Sequence, residues 1–249
     1  MILITGASSG IGEATARLLA SENKNLILIA RRIDKLNKLA SELQKQYHIK
    51  VHAFELDLSN INATNLLFKN NLELFNQVEV LINNAGLAKG LKFFQDVLEK
   101  EIHEMLDVNI KSLMIMTKNI LPIFLKKNAG HIINIGSTAT HQIYPKGNVY
   151  CATKAAVHAF NQSLRLDLNG KNIRVTEISP GMVNTEFSTV RFGNKSDAEK
   201  VYEGMEALTP MDIAETIAWT INRPKRVNIQ EIIIYPTDQA STTLVSRKS

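Results

Sequence analysis

Apolar positions along the chain fall into short solid runs, separated by longer stretches in which they recur at every third or fourth place. The runs are ILIT (2–5), LILIA (26–30), VHAFELDL (51–58), VEVLINNAG (78–86), HIINIGS (131–137), IRVTEISPG (173–181) and EIIIY (231–235). Each is short, rich in β-branched residues and bounded by turn formers, so each is predicted as a strand. The helical period predicts helices over about 11–21, 34–47, 62–75, 98–127 with one break near Asp107, 149–168 and 211–222. Strands with one wet face alternate apolar and polar residues. These do not, so both faces must be covered. Strands alternating with helices imply an α/β fold, a doubly wound parallel seven-stranded sheet with helices on both faces. No Pro/Gly/Ser-rich linker divides residues 1–249, which reads as a single domain. The stretch 184–208 is polar and poorly patterned. It follows a strand end, so it is either a substrate lid or a plain surface excursion.

Composition narrows the class. The chain has 249 residues, 45% hydrophobic and 21% charged, as an ordinary globular protein does. Its one cysteine cannot form an internal disulfide, which fits a reducing compartment. The start, MILITGASSG, has a short apolar run and no basic segment, unlike a secretory signal. No stretch reads as the ~18–20 consecutive apolar residues of a membrane span. A cytoplasmic protein is expected. The net charge is +5, but cations are mixed with acids, as in ARRIDKLNKLASELQK, so nucleic-acid binding is not expected. Anionic small ligands suit such a charge better.

The first strand runs into TGASSGIG (5–12), which opens a helix. Gly6, Gly10 and Gly12 permit a tight turn and close backbone approach, and Ser8, Ser9 and Ile11 stand among them. Free N–H groups at a helix start favour a phosphate there. The spacing G-x-x-x-G-x-G is not the common G-x-G-x-x-G. Even so, strand, glycine turn and helix in this order point to a Rossmann-type dinucleotide site. About twenty residues further on, NAD sites place an acid for the ribose hydroxyls. This chain has Arg31 and Arg32 instead, which suit a 2′-phosphate, so NADP is the predicted cofactor. Ser8 and Ser9 could add hydroxyl donors. The competing reading pairs the arginines with Asp34 or Glu42. Asp57, followed by Leu58, either accepts from an adenine amino group or caps a helix.

Tyr150 and Lys154 stand four apart in YCATK, on one face of a predicted helix. An ammonium beside a phenol favours the phenolate, which predicts a lowered Tyr150 pKa and a proton shuttle. TGASSGIG, NNAG (83–86), Ser137, YCATK and PGMVNT (180–185), in this order, resemble the short-chain dehydrogenase/reductase family along the whole chain. The resemblance implies an oxidoreductase acting on a CH–OH group, with Asn109, Ser137, Tyr150 and Lys154 as its catalytic positions. It implies that Asn83, Ala85 and Gly86 support the central strand and contact the cofactor. Pro180, Gly181, Val183 and Thr185 would wrap the nicotinamide carboxamide, and Tyr150 and Lys154 would also touch the cofactor. Ser137 would hold the substrate oxygen, with Thr138 as the neighbouring candidate. Asn109 would position a water, and can also bend its helix.

NAGLAKG, HIINIGSTA, GNVYCATKA, RVTEISPGMVNTEFSTVRF and TDQAS are further similar to the NADP-dependent 3-hydroxy acid dehydrogenases, also described as serine or allo-threonine dehydrogenases and malonic semialdehyde reductases. That subgroup implies hydride transfer between NADP(H) and a short 3-hydroxy or 3-oxo acid, and a homotetramer. The chain departs from its pattern at THQIYPKG (140–147) and at the extreme C-terminus. A carboxylate substrate shielded from water needs a cation, and Arg191 in STVRF is the candidate. Ser137, Tyr150 and Arg191 are thus the expected substrate contacts. The alternatives are a reductase of another small ketone, aldehyde or sugar, and a catalytically silent NADP-binding regulator. The histidines show no metal-like spacing, so no metal is expected. Cys151 and Trp219 read as packing residues, Trp219 also as an interface candidate. The apolar residues of the two long helices either meet a partner or are buried within the subunit.

Overall fold

The computed structural model describes residues 1–248; Ser249, the last residue of the expected 1–249 domain, lies outside the described residues. Strand β1 is Ile2–Thr5, β2 Leu26–Ala30, β3 Val51–Glu55, β4 Val80–Asn83, β5 Gly130–Ile135, β6 Ile173–Pro180 and β7 Glu231–Ile234. They form one parallel sheet in the order β3-β2-β1-β4-β5-β6-β7. The order reverses between β1 and β4, and there the connections leave towards opposite faces. Such a switch point opens a crevice beyond the carboxyl ends of its strands.

Helices cover both faces: α1 Gly10–Ser21, α2 Ile33–Tyr47 and α10 Pro210–Ile221 on one, α3 Ile61–Asn70, α4 Leu72–Phe75, α6 Ser112–Lys127 and α7 Asn148–Asp167 on the other. Side-chain alternation along each strand splits the core. Ile2, Ile4 and Leu28 pack towards α1, while Leu3, Ile27 and Ile29 pack towards α6, and all six are buried. Each such side chain contributes roughly 1.5–3 kcal/mol, which is why the strands read as solid apolar runs.

Three boundaries differ from expectation. The third run stops pairing at Glu55, so Leu56, Asp57 and Leu58 leave the sheet at its carboxyl end. The helix predicted over 62–75 divides at Asn71, whose side chain turns back to the Leu67 carbonyl. The break expected near Asp107 is instead a π-helical turn, Asp107–Lys111, joining α5 (Glu99–Leu106) to α6. The resulting 29-residue helix is long and apolar enough to cross a membrane by length and composition, against the reading of the sequence. Met116, Ile120, Ile123 and Phe124 nevertheless face the sheet and are buried there, as in a core helix. The stretch 184–208 holds two short helices, α8 (Glu186–Phe192) and α9 (Lys195–Lys200).

His131 on β5 is buried, and its Nε2 lies 2.9 Å from Thr176 Oγ1. That hydroxyl donates to the Ile229 carbonyl, so Nε2–H is the donor to it. Burial, reinforced by Arg174, pushes the imidazole down to about 3 from the ordinary 6.5. The folded chain therefore keeps His131 neutral while the unfolded chain protonates it. This stability is fully present above pH 6.5 and declines as pH falls through the window down to about 3. At pH 4.5 the loss is about 2–3 kcal/mol. Urea unfolding at pH 7 and 4.5 should show this drop in the wild type and a smaller one in His131→Phe. An equal drop in both would place the acid sensitivity elsewhere.

Candidate active site

The glycine turn follows from its neighbours. Gly6 and Gly10 take φ of +66° and +56°, where a side chain is strained. A Cβ on Gly12 would stand 2.5 Å from the Gly6 carbonyl and 2.6 Å from Asn84 Nδ2, so only glycine lets α1 start this close to β1. Thr5 Oγ1 accepts from the N–H groups of Asn84 and Ala85 at 3.0 and 3.1 Å, and Asn84 Nδ2 donates to the carbonyls of Thr5 and Gly6. These bonds fix the two loops at the switch point against each other.

A cavity of about 620 Å³ opens there. Gly6, Ser8, Ser9, Gly10 and Ile11 line it, as do Arg31, Arg32, Asp57, Leu58, Ala85, Gly86, Ser137, Tyr150, Lys154, Pro180, Gly181, Val183, Thr185 and Arg191. Gly12, Asn83 and Asn109 do not line it. Asn83 ends β4 in register with Asn134 and donates to Asn134 Oδ1 at 2.8 Å and Thr117 Oγ1 at 3.2 Å. Its neighbour Asn84 reaches the cavity instead.

Arg32 is held by three acceptors. Nε donates to Ser8 Oγ at 3.1 Å, one terminal nitrogen to Ser9 Oγ at 2.6 Å, and the other to Glu186 Oε2 at 2.7 Å. Of the two acids anticipated as competitors, Glu42 pairs with Arg17 at 3.1 Å. Asp57 Oδ1 accepts from the Ser59 N–H and hydroxyl in the turn before α3, whose cap is Asn60, so Asp57 is not the helix cap of the competing reading; it lines the cavity.

Tyr150 enters on the first turn of α7, and Ser137 sits just beyond β5, where its Oγ also accepts from Ala139 N–H at 3.1 Å. Tyr150 is half-buried and lines the cavity. Burial pushes the phenol up from the ordinary 10, reinforced by Tyr144, against the lowering effects of the Ser137 hydroxyl and the Arg191 charge. This corrects the expected lowering by Lys154. The ammonium lies 5.9 Å from the ring centroid and donates to the Ile135 carbonyl at 2.7 Å. Burial lowers Lys154 itself to about 8, with Glu177 acting in the opposite sense. Asn109, in the π-helical turn, clamps the 87 loop. Its Oδ1 accepts from Leu87 N–H at 2.8 Å, and its Nδ2 donates to Leu87 O at 2.8 Å and Thr153 Oγ1 at 3.0 Å. Both amide protons are thus engaged by protein, which leaves an Oδ1 lone pair as the amide's remaining handle for a water.

Arg191 closes the other side. Its Nε donates to the Gly90 carbonyl at 3.0 Å and a terminal nitrogen to the Tyr144 hydroxyl at 3.0 Å, while the guanidinium lies 5.7 Å from the Tyr150 ring centroid.

The matching family model is that of the short chain dehydrogenases, over residues 1–195. The chain belongs to the short-chain dehydrogenase family. It is 42% identical over 249 residues to the NADP-dependent 3-hydroxy acid dehydrogenase of Schizosaccharomyces pombe, spanning 99% of this chain and 96% of that one. It is 40% identical over 240 residues to the serine 3-dehydrogenase of Agrobacterium fabrum, spanning 96% and 94%. Among solved structures, the closed form of serine dehydrogenase complexed with NADP+ superposes with a TM-score of 0.91 at 38% identity, covering 100% of this chain and 99% of that one.

Two features of this short-chain dehydrogenase escaped the sequence reading. Tyr144 and Glu186 hold Arg191 and Arg32, and only the fold brings these pairs together; THQIYPKG marked the stretch around Tyr144 without naming a residue. The histidines also cluster, contrary to expectation. His141, His158 and Glu231 bring ligand-type atoms within 4.8 Å of one another. They join by hydrogen bonds to the carboxylates: His141 Nε2 stands 2.6 Å from Glu231 Oε1 and His158 Nδ1 2.9 Å from Glu177 Oε2. Asn161 and Ser179 complete the shell of the buried Glu177. No local spacing could show this, because the residues come from different elements.

Proposed function

We propose that this chain is an NADP-dependent dehydrogenase that interconverts short 3-hydroxy acids of the serine, allo-threonine or 3-hydroxypropionate type with their 3-oxo acids. The observation that carries the reading is a single cavity with a serine-held guanidinium, Arg32, on its wall and a second, Arg191, beside the Tyr150 phenol. The names of the relatives and the NADP+ complex of the similar structure support it.

The residues present fit the cofactor. Gly6, Ser8, Ser9, Gly10 and Ile11 line the cavity where α1 begins, and the free N–H groups of that helix start suit a pyrophosphate. Arg32, Ser8 and Ser9 supply donors for a 2′-phosphate, with Arg31 beside them on the cavity wall. When bound, NADP+ takes the hydride from the hydroxyl-bearing carbon and NADPH returns it. The chain's own part is acid–base and positional. Tyr150 takes the hydroxyl proton in oxidation and donates it to the carbonyl oxygen in reduction. Ser137 Oγ holds that oxygen and stabilises its developing charge. Lys154 supports the ribose side of the cavity, and Asn109 holds the 87 loop over it. Arg191 binds the substrate carboxylate, and 184–208 acts as the lid that carries it.

The closing test is initial-rate kinetics with NADP+ and NAD+ in parallel on serine, allo-threonine, 3-hydroxypropionate and uncharged short alcohols. A preference for NADP+ and the hydroxy acids is expected. Faster turnover of the uncharged alcohols would transfer the reading to another small carbonyl substrate. In the same assay Arg191→Ala should raise KM for the hydroxy acids roughly 10–100-fold, the range for losing a charge-assisted contact, with NADPH affinity little changed. An unchanged KM removes Arg191 from the substrate site.

Residues 1–249 are read as one domain, placed in the cytoplasm and assembled as a homotetramer. The exposed Leu166 on α7, Trp219 on α10 and Ile233 on the edge strand β7 give apolar faces for such contacts. Sedimentation should give four times the 27.8 kDa chain mass.

A further inference from the structure

Glu186 stands in an unexpected place. It opens α8, yet its carboxylate lies among the cations of the cofactor end: Oε2 is 2.7 Å from Arg32 and Oε1 is 3.0 Å from Lys35 Nζ. Arg32 is the same guanidinium that Ser8 and Ser9 hold, and that the proposed function assigns to a 2′-phosphate. One carboxylate thus engages the donors that a phosphate dianion would need. Charge, number of oxygens and hydrogen-bond pattern make it a weaker copy of that ligand. The carboxylate is half exposed, so nothing in the packing prevents its displacement.

The two nicotinamide cofactors meet this carboxylate differently. A 2′-phosphate must expel Glu186 from Arg32 or share the guanidinium with a like charge a few ångströms away, which costs affinity. A 2′-hydroxyl is a donor, and a carboxylate at this position accepts from it, as the acid after the second strand does in NAD sites. We propose that Glu186 is a specificity-determining residue, an intramolecular competitor of the 2′-phosphate that narrows the preference for NADP over NAD. The inference rests on the NADP reading of the site. It also links the ends of the cavity, because α8 begins at Glu186, packs Phe187 edge-on against Tyr150 with centroids 5.7 Å apart, and carries Arg191 in its last turn. Expulsion of Glu186 frees the start of the helix that presents the substrate arginine.

Calorimetric titration of the full chain with adenosine 2′,5′-bisphosphate and with 5′-AMP tests this. Glu186→Gln keeps shape and helix-forming ability but removes the charge. It should bind the bisphosphate ~5–30-fold more tightly than wild type, within the usual range of coupling between sites, while 5′-AMP binding stays level or weakens. Level or weaker bisphosphate binding in the variant overturns the proposal. Equal binding of the two nucleotides by the wild type would instead overturn the NADP reading, so the two failures differ. Hydrogen exchange on the wild type gives an independent reading. The bisphosphate, but not 5′-AMP, should speed exchange in the 186–192 segment, and unchanged exchange there also counts against displacement.

Discussion

Tyr150→Phe should lower kcat ~10³–10⁴-fold in both directions, the upper part of the range for a positioned general acid–base group, while NADPH binding is largely retained. The large expected effect comes from the position of the phenol on the cavity wall. The phenol hydroxyl lies where burial raises its pKa, so bulk water is a poor substitute for the missing proton donor. The direction of the shift also assigns a resting state. At neutral pH Tyr150 is protonated, which suits it to donate to a carbonyl oxygen; oxidation of an alcohol must first place a base there. Reduction should therefore hold its rate up to about pH 8, where Lys154 loses its proton, whereas oxidation rises with pH. Stopped-flow absorbance at 340 nm across pH 6–10 separates the two. A loss below about tenfold in the Phe variant would transfer the proton role to Ser137 or to a water.

The strands were legible because both faces of the sheet are covered, so burial wrote itself into the chain as unbroken apolar runs. Short-range geometry was legible too: the turn at 5–12 requires glycine at Gly12 because a Cβ would meet the Gly6 carbonyl. What stayed hidden depended on register, depth or distance along the chain. Asn83 and Asn84 are adjacent and chemically identical; only the pairing of Asn83 with Asn134 turns one into the sheet and leaves the other at the cavity. The π-helical turn at Asp107–Lys111 shifts the apolar phase by a fraction of a turn, which in a sequence looks like a break. Glu186 meets Arg32 across 154 positions and Tyr144 meets Arg191 across 47, separations at which no periodicity operates. The Tyr150–Lys154 spacing was read correctly as proximity and wrongly as tuning, because spacing carries no information about burial.

That last error leads to a second large effect, one in which stability and activity move in opposite directions. Lys154 is buried, and its ammonium falls to about 8 from the ordinary 10.5. The folded state therefore gives up this proton more readily than the unfolded state. For a base whose folded pKa is lowered, the cost to stability is full below pH 8, shrinks between 8 and 10.5, and vanishes above. A shift of this size corresponds to about 3 kcal/mol. Lys154→Met keeps the length of the side chain and removes the cost, but leaves the Ile135 carbonyl without its donor, worth about 1 kcal/mol. The net expectation at pH 7 is a gain of about 2 kcal/mol, or roughly 4–8 °C in Tm for a chain of this size. Wild-type stability should climb towards the variant's as pH rises from 8 to 10, with the Met variant flat over that window. The same substitution should lower kcat/KM by about 10²–10³-fold, as removal of one preorganised electrostatic contact does. Wild-type reduction should fall as pH passes through about 8, where the ammonium is lost. Urea unfolding at pH 7 and 10, beside kinetics on the same samples, decides the matter. A Met variant less stable than wild type at pH 7 would mean that attraction between Lys154 and the buried Glu177 outweighs desolvation, so that the lysine holds the fold together as well as serving the site.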